Sequence, residues 1–233
     1  MACPEEVTTA GRTSGAGEPD GVTTVAHPLH RSTESATSTA VSGRLAAGLR
    51  DWADLTAALT EPELVDAVRV AGEELIAALV AGRTLLIAGN GGSAAIASHV
   101  AAEFIGKCVH DRDPLPAINL AESLSSITAI GNDYGYDKVF TRGIAALGRA
   151  GDVFLAMSTS GTSPNVVAAL VDARRRGLLT IALVGEGGAH LSDSVDHLLV
   201  VPSRSTPRIQ EVHMLWAHAW CEAVDVLSRD LAD

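Results

Sequence analysis

The chain has 233 residues, of which 47% are hydrophobic and only 3% aromatic, and its formal charge is −11. That length holds one α/β domain of ordinary size with a tail, and two folded domains would be cramped. Few aromatic rings to stack bases and an acidic balance disfavour nucleic acid as a partner, so any anionic ligand must be held by local donors.

Cys3, Cys108 and Cys221 have no paired spacing. This indicates neither a disulfide framework nor a zinc knuckle, and a reducing cytoplasm suits them. No basic segment followed by an apolar run opens the chain, and the apolar stretch at 75–81 is too short to span a bilayer. The expectation is a soluble cytoplasmic protein with no membrane partner.

Residues 1–42 are rich in Gly, Ser, Thr, Ala and Pro without a sustained apolar period, which predicts a disordered tail. From there, 43–233 reads as one domain that opens with a helical pair. Leu45, Leu49, Trp52, Leu55 and Leu59 recur at helical spacing, and Pro62 restarts a second helix with Leu64, Val68, Ala71, Leu75 and Leu79 on one stripe, ended by Gly82. Strands are predicted at Thr84–Ala88, Ala117–Leu120, Val153–Ser158, Thr180–Val184 and His197–Val201. Helices are predicted over 93–105, about 123–131, 136–148, 163–176 and 207–230. This alternation implies right-handed crossovers, a central parallel sheet between helical layers, and a site at the strand C-termini.

Four sequence features carry chemistry. The first, Asn90-Gly91-Gly92-Ser93 after the first strand, is a strand-to-helix turn whose glycines allow close backbone approach and whose Ser93 can cap the next helix; a purely structural turn is the bland alternative. It is neither GxGxxG nor a Walker loop, so a sugar phosphate fits better than a dinucleotide. The second, Ser158-Thr159-Ser160-Gly161-Thr162-Ser163, sets five hydroxyls around one glycine before a helix beginning near Pro164. This is the stronger dianion signal, against a solvated Ser/Thr cap.

The third is His99 with Glu103, four residues apart on one helix face, able to bind a metal or move a proton unless they are a satisfied histidine and a surface carboxylate. The fourth, Gln210, Glu211, His213 and His218, lies on the last helix, where an amphipathic helix with solvent-facing polar residues is the alternative. Gln210 and His218 are separated by a rise of about 12 Å, so one helix does not easily offer both to one ion, and a second subunit or a helix distortion is implied if both serve one site. The segment Gly131-Asn132-Asp133-Tyr134-Gly135 reads as a turn whose Asp133 could accept bonds from a polyol.

Together these residues resemble the sugar isomerase (SIS) domain family, and within it the phosphoheptose isomerases, over about residues 45–230. The resemblance rests on GNGGS at 89–93, His99 and Glu103, GNDYG at 131–135, STSGTS at 158–163 and RIQEVHMLWAH at 208–218. It implies a three-layer α/β/α sandwich assembled as a homotetramer with sites between subunits. It also implies conversion of sedoheptulose 7-phosphate to D-glycero-D-manno-heptose 7-phosphate through an enediol, with Glu103 and His218 as catalytic acid/base groups converging across chains.

By the same resemblance Asn90, Gly91, Gly92, Ser93, Lys107, Asn132, Asp133, Ser158, Thr159, Ser160, Ser163 and Gln210 bind substrate, and one zinc per subunit is held by His99, Glu103, Gln210 and His218. Two positions depart from the family pattern: Lys107 is often Arg there, and Pro207 often acidic. The rival reading is a noncatalytic family adaptor that binds a replication initiator as a tetramer; such adaptors typically lack the helix glutamate and the final histidine, and both are present here.

Overall fold

A computed structural model describes residues 34–230, the side chains of 229 and 230 excepted. The chain divides between Arg44 and Leu45 into a short leading unit and a body. The first helix, α1 (Glu34–Leu59), starts inside the stretch expected to be a tail. Residues 34–42 carry neither Gly nor Pro, and Glu34 in the first turn complements the helix dipole, so a helix nucleated by the apolar repeat downstream extends back through them. The remainder of the expected tail, 1–33, lies outside the described residues.

In the body, α2 (Pro62–Val80) starts on Pro62, and the order thereafter is β1 (Leu85–Gly89), α3 (Gly92–Ile105), β2 (Ala117–Asn119), α4 (Leu124–Tyr134), α5 (Val139–Leu147), β3 (Val153–Ser158), α6 (Pro164–Arg175), β4 (Leu179–Gly185), β5 (His197–Val201) and α7 (Thr206–Asp230). The five strands form one parallel sheet in the order β2-β1-β3-β4-β5. Helical layers bury both faces, so the inner strands read as unbroken apolar runs. Side chains still alternate: Leu85, Ile87, Leu155 and Leu183 join the core under α2, α3 and α7, while Leu86, Ala88, Phe154 and Ala182 join that under α5 and α6. The parallel sheet expected from the alternation, and the three-layer sandwich that the resemblance implies, are the fold observed. Among the described residues no helix is long and apolar enough to cross a membrane.

Two local corrections have simple causes. The GNDYG segment is not a free turn: α4 runs through Asn132, Asp133 and Tyr134, and only Gly135, at φ 93°, makes the turn that its lack of a Cβ permits. His213 does not face solvent. It is fully buried on α7 beside Trp216.

Burial pushes the His213 imidazole from 6.5 down to about 4, with the Val184 backbone opposing only in part. Below pH 6.5 the unfolded chain therefore takes up a proton that the folded chain refuses. This contribution to stability is whole above 6.5 and is lost as pH falls towards 4, roughly 3 kcal/mol in all. Urea midpoints of the parent should decline across that window more steeply than those of His213→Phe; parallel curves would contradict the assignment.

Candidate active site

The strand order places β2 on one side of β1 and β3 on the other, so the connections leaving β1 and β3 run to opposite faces and leave a crevice at their carboxyl ends. Both loops singled out in the sequence open there. Asn90, Gly91, Ser93, Ser158, Thr159 and Ser163 line a cleft of about 270 Å3, closed on the remaining side by Thr206 and Gln210 from the start of α7.

Gly92 lies directly against Gln210: a Cβ there would lie 2.5 Å from the amide nitrogen at the end of that flexible side chain, which would have to turn aside. Gly161, at φ 66°, packs so tightly on the 186–194 segment that a Cβ would meet the Gly188 Cα at 2.2 Å. Ser93 is not the cap of α3. Gly91 holds that position, and the Ser93 side chain is buried in the first turn, lining the cleft. Ser163 stands at the N-cap of α6 without a side-chain capping bond. Its hydroxyl instead accepts from Ser158, whose own oxygen accepts the Gly161 N–H. Ser160 is exposed at the rim, where its oxygen accepts from the N–H and hydroxyl of Thr162.

The second half of the site lies farther along the same two helices. Glu103 Oε1 stands 3.1 Å from His99 Nε2 and 3.4 Å from His218 Nε2, and the two imidazole nitrogens are 3.2 Å apart. The three come together within one chain, because α3 and α7 both start at the cleft and pack side by side. The sequence expectation that Glu103 and His218 meet only across chains is corrected on this point.

Ligand atoms around a tetrahedral ion held at about 2.0–2.1 Å stand about 3.3 Å apart, so the observed triangle has the dimensions of one face of a zinc site. Glu103 Oε2 is buried with no hydrogen-bond partner, a costly state for a carboxylate unless something compensates its charge. The donor set fits zinc. Cys108 and Cys221 lie against the same carboxylate. Burial, with the Glu103 charge adding to it, pushes the Cys108 thiol up to about 11 and that of Cys221 higher, so both thiols are neutral beside the carboxylate.

Gln210 does not join the triad: it stays at the cleft, about 12 Å of helix rise from His218. Lys107 is exposed beyond the end of α3 and does not line the cleft. Asn132 donates to Asp133, and Asp133 lines a separate groove of about 600 Å3 between α4 and α5.

Three contributors escape a reading of the sequence. Buried Asn165, in the first turn of α6, exchanges reciprocal amide hydrogen bonds of 2.9 Å with Asn90, and the Tyr136 hydroxyl lies 3.0 Å from Asn90 Oδ1. The third is a buried ion pair, Arg112 with Asp225, at 2.8 Å. Arg112 donates to the carbonyls of Glu103 and Phe104, while Asp225 accepts the N–H groups of Cys108, Val109 and His110. Burial opposes the charge on Asp225, but those N–H groups and the guanidinium outweigh it and hold the carboxyl below its ordinary range. The pair ties the end of α3 to α7 and so sets the register of Glu103 against His218. Spacing within one segment carries no trace of contacts this distant in the chain.

Comparison with known proteins agrees with this geometry. The SIS domain family matches residues 50–185. A phosphoheptose isomerase from a Bradyrhizobium species is 49% identical over 170 residues, covering 72% of this chain and 85% of that protein. The phosphoheptose isomerase of Burkholderia pseudomallei is 44% identical over 171 residues, 73% of this chain and 87% of its own. Among solved structures, the phosphoheptose isomerase of Neisseria gonorrhoeae aligns with a TM-score of 0.72 at 39% identity, over 82% of this chain and 99% of its own. That of Francisella tularensis aligns at 0.73 and 32%, over 81% and 98%. The chain belongs to the SIS domain family, in the group that the phosphoheptose isomerases form.

Proposed function

We propose that the protein is an aldose–ketose isomerase that converts sedoheptulose 7-phosphate to D-glycero-D-manno-heptose 7-phosphate. The observation that carries this reading is the close triangle of Glu103, His99 and His218 on the helices that also build a hydroxyl-lined cleft. Ser158, Thr159, Ser163, Ser93 and the backbone of Gly91 and Gly92 take the phosphate, with no lysine needed at two helix starts. Asn90, Ser160 and Gln210 are assigned to the remaining phosphate and sugar oxygens.

Glu103 removes the proton from C1 of the ketose, which is acidified by the C2 carbonyl, and returns it to C2 of the resulting enediol. His218 carries the accompanying proton between O1 and O2, so the aldose leaves with atoms and charge conserved. Zinc is assigned to His99, Glu103 and His218, with Gln210 as fourth ligand from another copy, and when bound it would polarise the sugar oxygens; a ligated carboxylate is not a free base, so Glu103 would exchange between holding the ion and moving the proton.

The separation of cleft and triad along the helices supports a site shared between copies of the chain. Leu215, one turn before His218, is 48% exposed, and Leu45 and Leu49 on α1 are each 64% exposed, apolar surface that assembly would cover. A cytoplasmic homotetramer is the assembly we assign. Incubation with sedoheptulose 7-phosphate, with and without chelator, tests the reading by NMR. An aldose product is expected, carrying deuterium at C2 in D2O to the extent that the Glu103 carboxyl exchanges its proton with solvent before returning it. No conversion by the zinc-supplemented protein would overturn it.

A further inference from the structure

We infer that Asn165, assisted by Tyr136, is a positioning residue that fixes the side-chain amide of Asn90 as a hydrogen-bond donor to a phosphate or sugar oxygen. The inference rests on the sugar-phosphate reading of the cleft. It starts from a group whose polarity is not in question: the backbone N–H of Val166 can only donate, and it is shared between the Ser163 carbonyl and the Asn165 side chain, each at 3.0 Å. The atom it meets must be the amide oxygen, Oδ1.

That orientation propagates. Asn165 Oδ1 also accepts from Asn90 Nδ2, and Asn165 Nδ2 donates to Asn90 Oδ1. The remaining lone pair of Asn90 Oδ1 takes the Tyr136 hydroxyl, which must therefore donate. Asn90 Oδ1 is thus saturated, whereas one N–H of its Nδ2 has no acceptor among the described residues. Asn90 lines the cleft between Gly91 and the β3 loop, so what it offers a ligand there is an N–H and not a carbonyl. Asn165 is 2% exposed, and an amide pair locked in a buried setting gains rigidity that an exposed one lacks. A half-exposed asparagine would otherwise flip between donor and acceptor faces, and half of its orientations would repel a dianion.

Two substitutions separate orientation from charge. In Asn165→Asp the carboxylate keeps the bonds from Val166 and from Asn90 Nδ2 but sets an oxygen against Asn90 Oδ1. In Asn165→Leu the shape remains, the pairing is lost and no charge is added. Both should raise KM for sedoheptulose 7-phosphate about tenfold, the value of one hydrogen bond to a charged group, while kcat stays within about twofold. Tyr136→Phe, which leaves the amide pair intact, should raise KM only about twofold.

A merely structural role would lower kcat and the melting temperature at unchanged KM, and that result overturns the inference. So does a rise confined to Asn165→Asp, which charge alone would explain. Titration with inorganic phosphate supplies an arm that needs no turnover. Weaker phosphate binding by either Asn165 variant supports the inference even if the parent fails to isomerise the heptose, and unchanged binding in a folded variant counts against it. If Asn165→Asp and Asn165→Leu both fail to fold, Tyr136→Phe decides: phosphate affinity equal to that of the parent overturns the proposal.

Discussion

Glu103→Gln is expected to lower kcat by roughly a hundred- to ten-thousandfold, the range that general acid–base groups contribute. The substitution keeps the size of the side chain and one carbonyl oxygen facing His99 and His218 but removes the charge and the basicity. The carboxylate is 15% exposed between two imidazole nitrogens, with its second oxygen buried and unpartnered, so packing should tolerate the uncharged amide. Thermal stability should not fall, and it should rise if the buried charge is uncompensated in the resting protein. His218→Gln is expected to act the same way on kcat. The measurements are initial rates at saturating sedoheptulose 7-phosphate and light scattering for assembly, with zinc content after dialysis as a separate readout. Full activity in either variant would remove the acid–base assignment, whatever its zinc content.

What could be read without the structure depended on how local the responsible contacts are. Val153–Ser158 was legible to the residue, because a parallel strand buried on both faces is an apolar run bounded by turn chemistry, and His197–Val201, the partly buried edge strand, still shows an apolar β-rich run. The two loops were legible because glycine and clustered hydroxyls after a strand have few other uses. Helix ends were less so. The start at Glu34 depends on propagation from a nucleus more than ten residues downstream, and Asn132-Asp133 carries turn composition inside a helix whose end falls at Gly135.

Contacts between distant segments were not legible at all. Asn90 meets Asn165 only because β3 inserts beside β1, and Asp225 meets Arg112 only because α7 returns along α3. The same parallel packing brought Glu103 to His218 within one chain, where the sequence reading expected them to converge across chains.

Mixing two inactive variants is expected to restore activity, because each protomer holds its cleft and its triad at different ends of the same helix pair. Glu103→Gln spoils the triad alone. Thr159→Glu spoils the cleft alone, setting a carboxylate where the dianion must sit, more than two helical turns from His218 by the position of Gln210 beside it. If substrate bridges the cleft of one copy and the triad of another, a co-assembled mixture in equal amounts contains sites that draw both sound halves, about one quarter of the total. Activity should then climb from near zero for either variant alone to about that fraction of the parent. If one chain supplies both halves, every site contains a defect and the mixture stays inactive. The result separates the two arrangements without a structure of the assembly, and it turns on a distance set by the fold: the rise of α7 between Gln210 and His218, about 12 Å, which no rotamer change can close.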